Sequence, residues 1–180
     1  SDQIVAGERS TAVCHVYDAY GNEVEDFEAG LFVSPTGPGI SVDALDVSIT
    51  SSGTYEVSCA VSGASITESD FLRVDPALPH SMTLGLRPER APFRVQDQTL
   101  LEADVRDRFG NRVTGAVLAY SATGGITQQN GARFTFVSDG SATLRAVVTS
   151  PIDPDVAEVS ASLPVDVNTT GPAIECLRLG

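Results

Sequence analysis

Val16-Tyr17-Asp18-Ala19-Tyr20-Gly21-Asn22-Glu23-Val24 is written a second time, with changes, as Val105-Arg106-Asp107-Arg108-Phe109-Gly110-Asn111-Arg112-Val113. Five of the nine positions are identical, and Tyr20 exchanges conservatively for Phe109. Further on, Gly53-Thr54-Tyr55-Glu56-Val57-Ser58-Cys59 matches Gly140-Ser141-Ala142-Thr143-Leu144-Arg145-Ala146 at nearly the same spacing. A repeat of about 88 residues is a duplicated domain, since solenoid periods run roughly 20–50.

Outward from these motifs the chain reads as pleated. Ala12, Cys14 and Val16 fall on one face of an expected strand, with Val13, His15 and Tyr17 on the other. The second copy gives Leu101, Ala103 and Val105 inward and Glu102, Asp104 and Arg106 outward, which fixes the orientation. Tyr55, Val57, Cys59 and Val61 share a face against Glu56 and Ser58. Ala142, Leu144, Ala146 and Val148 do so against Thr143 and Arg145. Helical apolar spacing is missing, and β-branched residues punctuated by Gly, Ser and Pro dominate. Short alternating strands in units of about 90 residues describe β-sandwiches.

Domain limits follow from the breaks. Leu72-Arg73-Val74-Asp75 closes a first unit, and Pro76-Ala77-Leu78-Pro79-His80 interrupts it, because proline supplies no ladder donor. The reading is domain one at 1–76, domain two at 77–168, and a linker with the start of a further domain at 169–180. The two prolines stiffen the connection, so a semi-rigid rod is expected.

Cys14 and Cys59 lie on inward-facing strands, early and late in the first copy; the second copy has Ala103 and Ala146 there. Both change together to the same small residue, as a bridged pair does when a duplicate loses its bridge. Two buried free thiols are the alternative. The bridge is favoured because an inter-sheet disulfide joins strands B and F of many immunoglobulin domains. Such a bond persists in oxidising compartments. Cys176 is odd and is expected to pair in the following domain, with a free thiol as the alternative. The fold class is therefore all-β, two tandem immunoglobulin-like β-sandwich domains.

The turn and strand motifs together resemble bacterial immunoglobulin-like (Big-1) domains of the invasin/intimin group, and more distantly filamin repeats. The resemblance rests on Asp18-Ala19-Tyr20-Gly21-Asn22, Asp107-Arg108-Phe109-Gly110-Asn111 and Gly53-Thr54-Tyr55-Glu56-Val57. It implies a non-catalytic module of a bacterial cell-surface protein, acting in adhesion or as a stalk. The implied partners are neighbouring domains of the same chain and a protein or glycan on another cell. Antibody-type features are missing: there is no Trp, and Tyr55 stands four residues before Cys59 where the tyrosine-corner pattern puts it two before.

Charge narrows the partners. The net charge is −13, and it is uneven. Up to Ala77 there are 13 acids against Arg9 and Arg73; from Leu78 to Val167 there are ten acids against eight arginines. Nucleic-acid backbone and anionic membranes both require a basic surface, so neither is expected as a partner. All 11 basic residues are Arg, a weak mark of a G+C-rich bacterial source. No apolar run is long enough to cross a bilayer as a helix, and Ser1-Asp2-Gln3 does not open a secretory signal.

Chemistry-bearing residues are few. His15 neighbours Cys14 but alternation points them to opposite faces, so they form no nucleophilic pair. His80 falls in the linker, and the two histidines offer no zinc site. No phosphate loop, dinucleotide fingerprint or nucleophile elbow occurs, and no enzyme is expected. The turn motifs have a sufficient physical reason of their own. Asp18 and Asp107 can accept backbone N–H groups, Gly21, Gly110, Asn22 and Asn111 tolerate positive φ, and the aromatic can pack at a sandwich end. The acids Asp18, Glu23, Glu25, Asp26 and Glu28 form the one calcium candidate, against the alternative of a solvated acidic surface. No other cofactor is expected. Tyr17 and Tyr20 are the candidates for an exposed glycan platform, and Asn168-Thr169-Thr170 fits a glycosylation acceptor.

Overall fold

The computed structural model describes residues 2–25, 27–61, 69–89 and 92–168. Asp26, Cys176 and the expected start of a further domain at 169–180 lie outside the described residues. All regular structure in the described residues is β. The chain divides into two units. The first takes in the chain up to Ala77 together with the five residues Asp107–Asn111. The second takes Leu78–Arg106 and the chain from Arg112 onward.

The first unit contains strands β1 (Asp2–Val5), β2 (Arg9–Thr11), β3 (Ala29–Ser34), β4 (Ile40–Asp43), β5 (Asp46–Ile49), β6 (Gly53–Val61) and β7 (Ser69–Asp75). They form two sheets, β1-β7-β6-β3 and β2-β5-β4. Only β1 and β7 run parallel. Between the sheets Ala6, Val33, Val47, Ile49, Tyr55, Leu72 and Val74 are buried as one cluster. Alternation explains the set: Tyr55 and Val57 on β6, and Leu72 and Val74 on β7, are inward residues two apart.

The second unit contains β8 (Ser81–Arg87), β9 (Phe93–Arg94), β10 (Gln98–Arg106), β11 (Leu118–Thr123), β12 (Ile126–Asn130), β13 (Arg133–Phe136), β14 (Gly140–Val148) and β15 (Ser160–Asn168). The sheets are β12-β13-β10-β8 and β11-β14-β15-β9. In immunoglobulin lettering this is D-E-B-A facing C-F-G with a short extra edge strand. The first unit repeats the same order with β4-β5-β2 and β3-β6-β7-β1. Both units are therefore immunoglobulin-like sandwiches. Pro164 sits within β15, beyond the two-residue pairing with β9, where one strand side is free and no ladder donor is missed.

The second core is the larger and more aromatic. Phe93, Leu101, Phe134, Phe136, Leu144, Ala146, Val165 and Val167 form it, with Phe93 and Phe136 rings 4.7 Å apart between centroids. Val105, Val148 and Val159 make a second cluster in the same unit. The first unit has Tyr55 as the one aromatic of its buried cluster and adds a covalent tie. Cys14 and Cys59 are disulfide-bonded, joining the segment after β2 to β6 across the sandwich. The second unit puts Ala103 on β10 and buried Ala146 on β14 at those places. A small core gains most from such a staple, because little apolar area is available to offset chain entropy.

Three expectations are corrected. The expected strand through Ala12–Tyr17 ends at Thr11. Residues 12–16 keep the in-and-out alternation of burial without a ladder. In the second unit the matching residues are held in register along β8, from Leu101 opposite Leu86 to Arg106 opposite Ser81. No strand among the described residues plays that part for 12–16, which are held by the Ala12 N–H on the Leu45 carbonyl, the disulfide and the Val24 N–H on the Val16 carbonyl. Ser58, expected outward, is only 8% exposed, at a ladder position between Phe32 and Ser69. His80 is not a free linker residue. Its N–H donates to the Arg106 carbonyl at 2.8 Å, continuing the β8–β10 ladder.

Candidate functional site

The two Asp-x-aromatic-Gly-Asn turns have one backbone and two different surroundings. In the first, Asp18 accepts the backbone N–H groups of Tyr20 (2.8 Å) and Asn22 (2.9 Å) on Oδ1 and the Asn22 side-chain amide (3.0 Å) on Oδ2. The Gly21 N–H reaches the Asp18 carbonyl, and the Asp18 N–H donates to the Asn22 carbonyl. Asp107 does the same with Phe109 (2.9 Å), Asn111 N–H (2.8 Å) and the Asn111 amide (2.7 Å). Positive φ is needed at the glycines alone, 84° at Gly21 and 88° at Gly110, which is why those positions are Gly. Each loop is closed at its root by one residue bridge, Tyr17 with Glu23 and Arg106 with Arg112.

In the first turn these bonds favour the ionised carboxylate of Asp18. The Asn22 side-chain amide first, then the Asn22 backbone N–H, hold the Asp18 carboxyl below its ordinary value.

The surroundings separate the copies. Asp18–Asn22 faces solvent, and Tyr20 is 90% exposed, so this aromatic does not pack on a sandwich end as expected. Asp107–Asn111 is built into the first unit. Its Asn111 amide donates to the Thr50 carbonyl at 2.7 Å while its Oδ1 accepts the Ser52 N–H at 2.9 Å. This two-way bond fixes the amide's orientation. Asp107 Oδ2 also accepts the Ala77 N–H at 2.8 Å, and Asp107 is 2% exposed. The Phe109 ring lies over Gly7, where a β-carbon would come within 2.6 Å of it. Gly7 has φ of 86°, so both conformation and space demand glycine there.

The calcium candidates are not gathered. No three carboxylate, His or Cys side chains among the described residues converge as a metal-holding group. Asp18 is turned onto its own loop, and Glu23 lies 2.8 Å from His15 Nδ1. Glu25 and Glu28 join no such group, and Asp26 is outside the described residues. Tyr17 and Tyr20 are both exposed.

Two features escaped sequence reasoning. Tyr55 donates its hydroxyl to the Ser51 carbonyl at 3.0 Å, the backward bond of a tyrosine corner, although its spacing to Cys59 argued otherwise. Asp153, 1% exposed, accepts the Asp155 N–H at 3.0 Å, and its own N–H donates to the Pro79 carbonyl. His80 Nδ1 stands 3.5 Å from its Oδ2, an electrostatic contact too long for a good hydrogen bond. The Asp153-Pro154-Asp155 triplet is a turn signal that could have marked the site.

The fold likeness to known proteins follows the same lines. FdeC, an Escherichia coli adhesin, is similar over 93% of this chain, with a TM-score of 0.54 and 20% identity; the chain spans 62% of that structure. Human protocadherin-24 EC1-2 is similar over 94% of both chains at TM-score 0.50 and 8% identity. Invasin, a bacterial integrin-binding protein, is similar over 84% of this chain and 35% of its own, at TM-score 0.49 and 16% identity. At these identities the likeness is one of fold. No protein-family model and no curated protein sequence matches the chain.

Proposed function

We propose that this chain is a non-catalytic part of a bacterial surface protein, serving as a stalk or adhesive module outside the cytoplasm. The observation that carries the reading is the repetition of one sandwich in tandem, with a disulfide across the first copy. Disulfides persist where the medium is oxidising, and a sandwich repeat adds length and surface without needing a reaction centre. The fold likeness to the adhesin FdeC supports the same class. The partners are neighbouring domains of this kind and a protein or glycan on another surface.

Surface exposure is the test. Antibodies raised against the chain should label intact cells of the source organism, and protease added to those cells should remove the label. Labelling only after lysis, with free thiols at Cys14 and Cys59, would overturn the reading. The competing reading is a calcium or glycan site at the acidic end of the first unit. Its support is the exposure of Tyr20, and the engagement of Asp18 within its own turn weighs against calcium. Calorimetric heat on adding calcium, with a calcium-dependent rise in melting temperature, would favour it.

A further inference from the structure

We propose that Asp18–Asn22 is a docking turn that seats on the end of another β-sandwich domain of this same repeat, one with glycine at the place of Gly7 and a carbonyl–amide pair like that of Thr50 and Ser52. The duplicated turn supplies the argument. Asp107–Asn111 has the same internal bonds as Asp18–Asn22 and uses its outward atoms on the first unit: Asn111 on Thr50 and Ser52, Asp107 on Ala77, and Phe109 over Gly7. Asp18, Asn22 and Tyr20 carry the same outward groups at the same places of the turn. In the described residues they point into solvent, with a large aromatic ring held clear of any core. Two copies of one device, one engaged and one free, identify the occupant by chemistry: a main-chain carbonyl and N–H spaced as Thr50 and Ser52, beside a glycine of positive φ.

The glycine sets specificity. In the second unit the place of Gly7 is taken by Gln96, which also has positive φ (77°) and also donates its N–H across the sandwich, to Phe136 where Gly7 donates to Ile49. Gln96 brings a β-carbon to the spot that an aromatic ring covers in the first unit. The end of the second unit therefore does not receive this turn, and the chain does not associate head to tail through it. This inference deepens the stalk reading. Its test does not depend on where the chain is displayed, so its failure leaves the surface reading standing.

The first experiment uses the chain as it is. Arg108→Ala with Phe109→Tyr converts the engaged turn into the sequence of the free one. Melting of the first unit should match that of Arg108→Ala alone, showing that the free turn's side chains fit the receiving end. A fall as large as that of Asn111→Ala would overturn the proposal. The second experiment supplies such a domain. Residues 1–89 are placed ahead of the whole chain, at the offset that separates Asp18 from Asp107, with Tyr20→Phe in the added copy. Nitration of the remaining Tyr20 should fall severalfold relative to the 180-residue chain, and Asn22→Ala beside it should restore the reactivity. Unchanged nitration in a folded extended chain would overturn the proposal, as would head-to-tail oligomers of the 180-residue chain that Gln96→Arg abolishes.

Discussion

One side chain shows what a single position contributes here. Asn111 meets Asp107, Thr50 and Ser52 at once, so Asn111→Ala frees the Thr50 carbonyl and the Ser52 N–H and leaves the buried Asp107 Oδ2 with the Ala77 N–H alone. Losing these bonds together, one of them to a buried carboxylate, costs about 1–3 kcal/mol. Chemical denaturation should register that loss in the first unit. Asn22→Ala should cost a small fraction of it, because water reaches every group it frees. The acid side of the turn gives a pH prediction. The folded value of Asp18 is depressed below its unfolded one, so its contribution is complete above the ordinary aspartate range. It is lost as pH falls through the depressed folded value. A carbon-detected titration should find the Asp18 carboxyl ionising below free aspartate, and Asn22→Ala should move it up, since the Asn22 amide is the largest cause.

Strands and the bonds between them decide how each unit holds together. The disulfide ties residues 45 apart, and closing a loop of that length restricts the unfolded chain by about 4 kcal/mol in the loop-entropy model. Cys14→Ala with Cys59→Ala copies the second unit's solution, but without its Phe93, Phe134 and Phe136. Calorimetry should show the transition of the first unit falling steeply while that of the second stays. The reverse holds for Phe136→Ala, which empties the centre of the second core and should cost about 3–5 kcal/mol there. A single transition shifted equally by both changes would contradict the separate cores. The strand that stops at Thr11 belongs to this scale as well. Alternation told which faces Ala12 to Val16 would show, yet a ladder also needs a neighbour, and periodicity within one segment carries no word of its neighbours.

For the molecule entire, charge is the property that most restricts partners. At −13 the chain should be repelled by duplex DNA and by anionic vesicles. Gel shift and co-sedimentation at low salt, where attraction would be strongest, should both be blank. The acid excess is concentrated up to Ala77, the part that also carries the exposed Asp18–Asn22 turn. A partner for that turn must therefore tolerate or complement negative charge. Main-chain N–H groups and arginines do so.

The amino-acid order alone carried the duplication, the all-β class and the alternating faces, and favoured the pairing of Cys14 with Cys59 over two free thiols, because these follow from periodicity and from substitutions shared between two copies. It also marked both Asp-x-aromatic-Gly-Asn turns, since a short loop with a fixed glycine is specified by its own five residues. Tertiary structure alone decided that these like turns have unlike surroundings, one seated against Thr50, Ser52 and Gly7 and one in solvent. It alone turned Tyr55 back onto Ser51 and buried Asp153. The reason is physical. Local bonds within a turn are written in adjacent residues, whereas burial and the partner of an outward-facing atom depend on chain segments dozens of residues away.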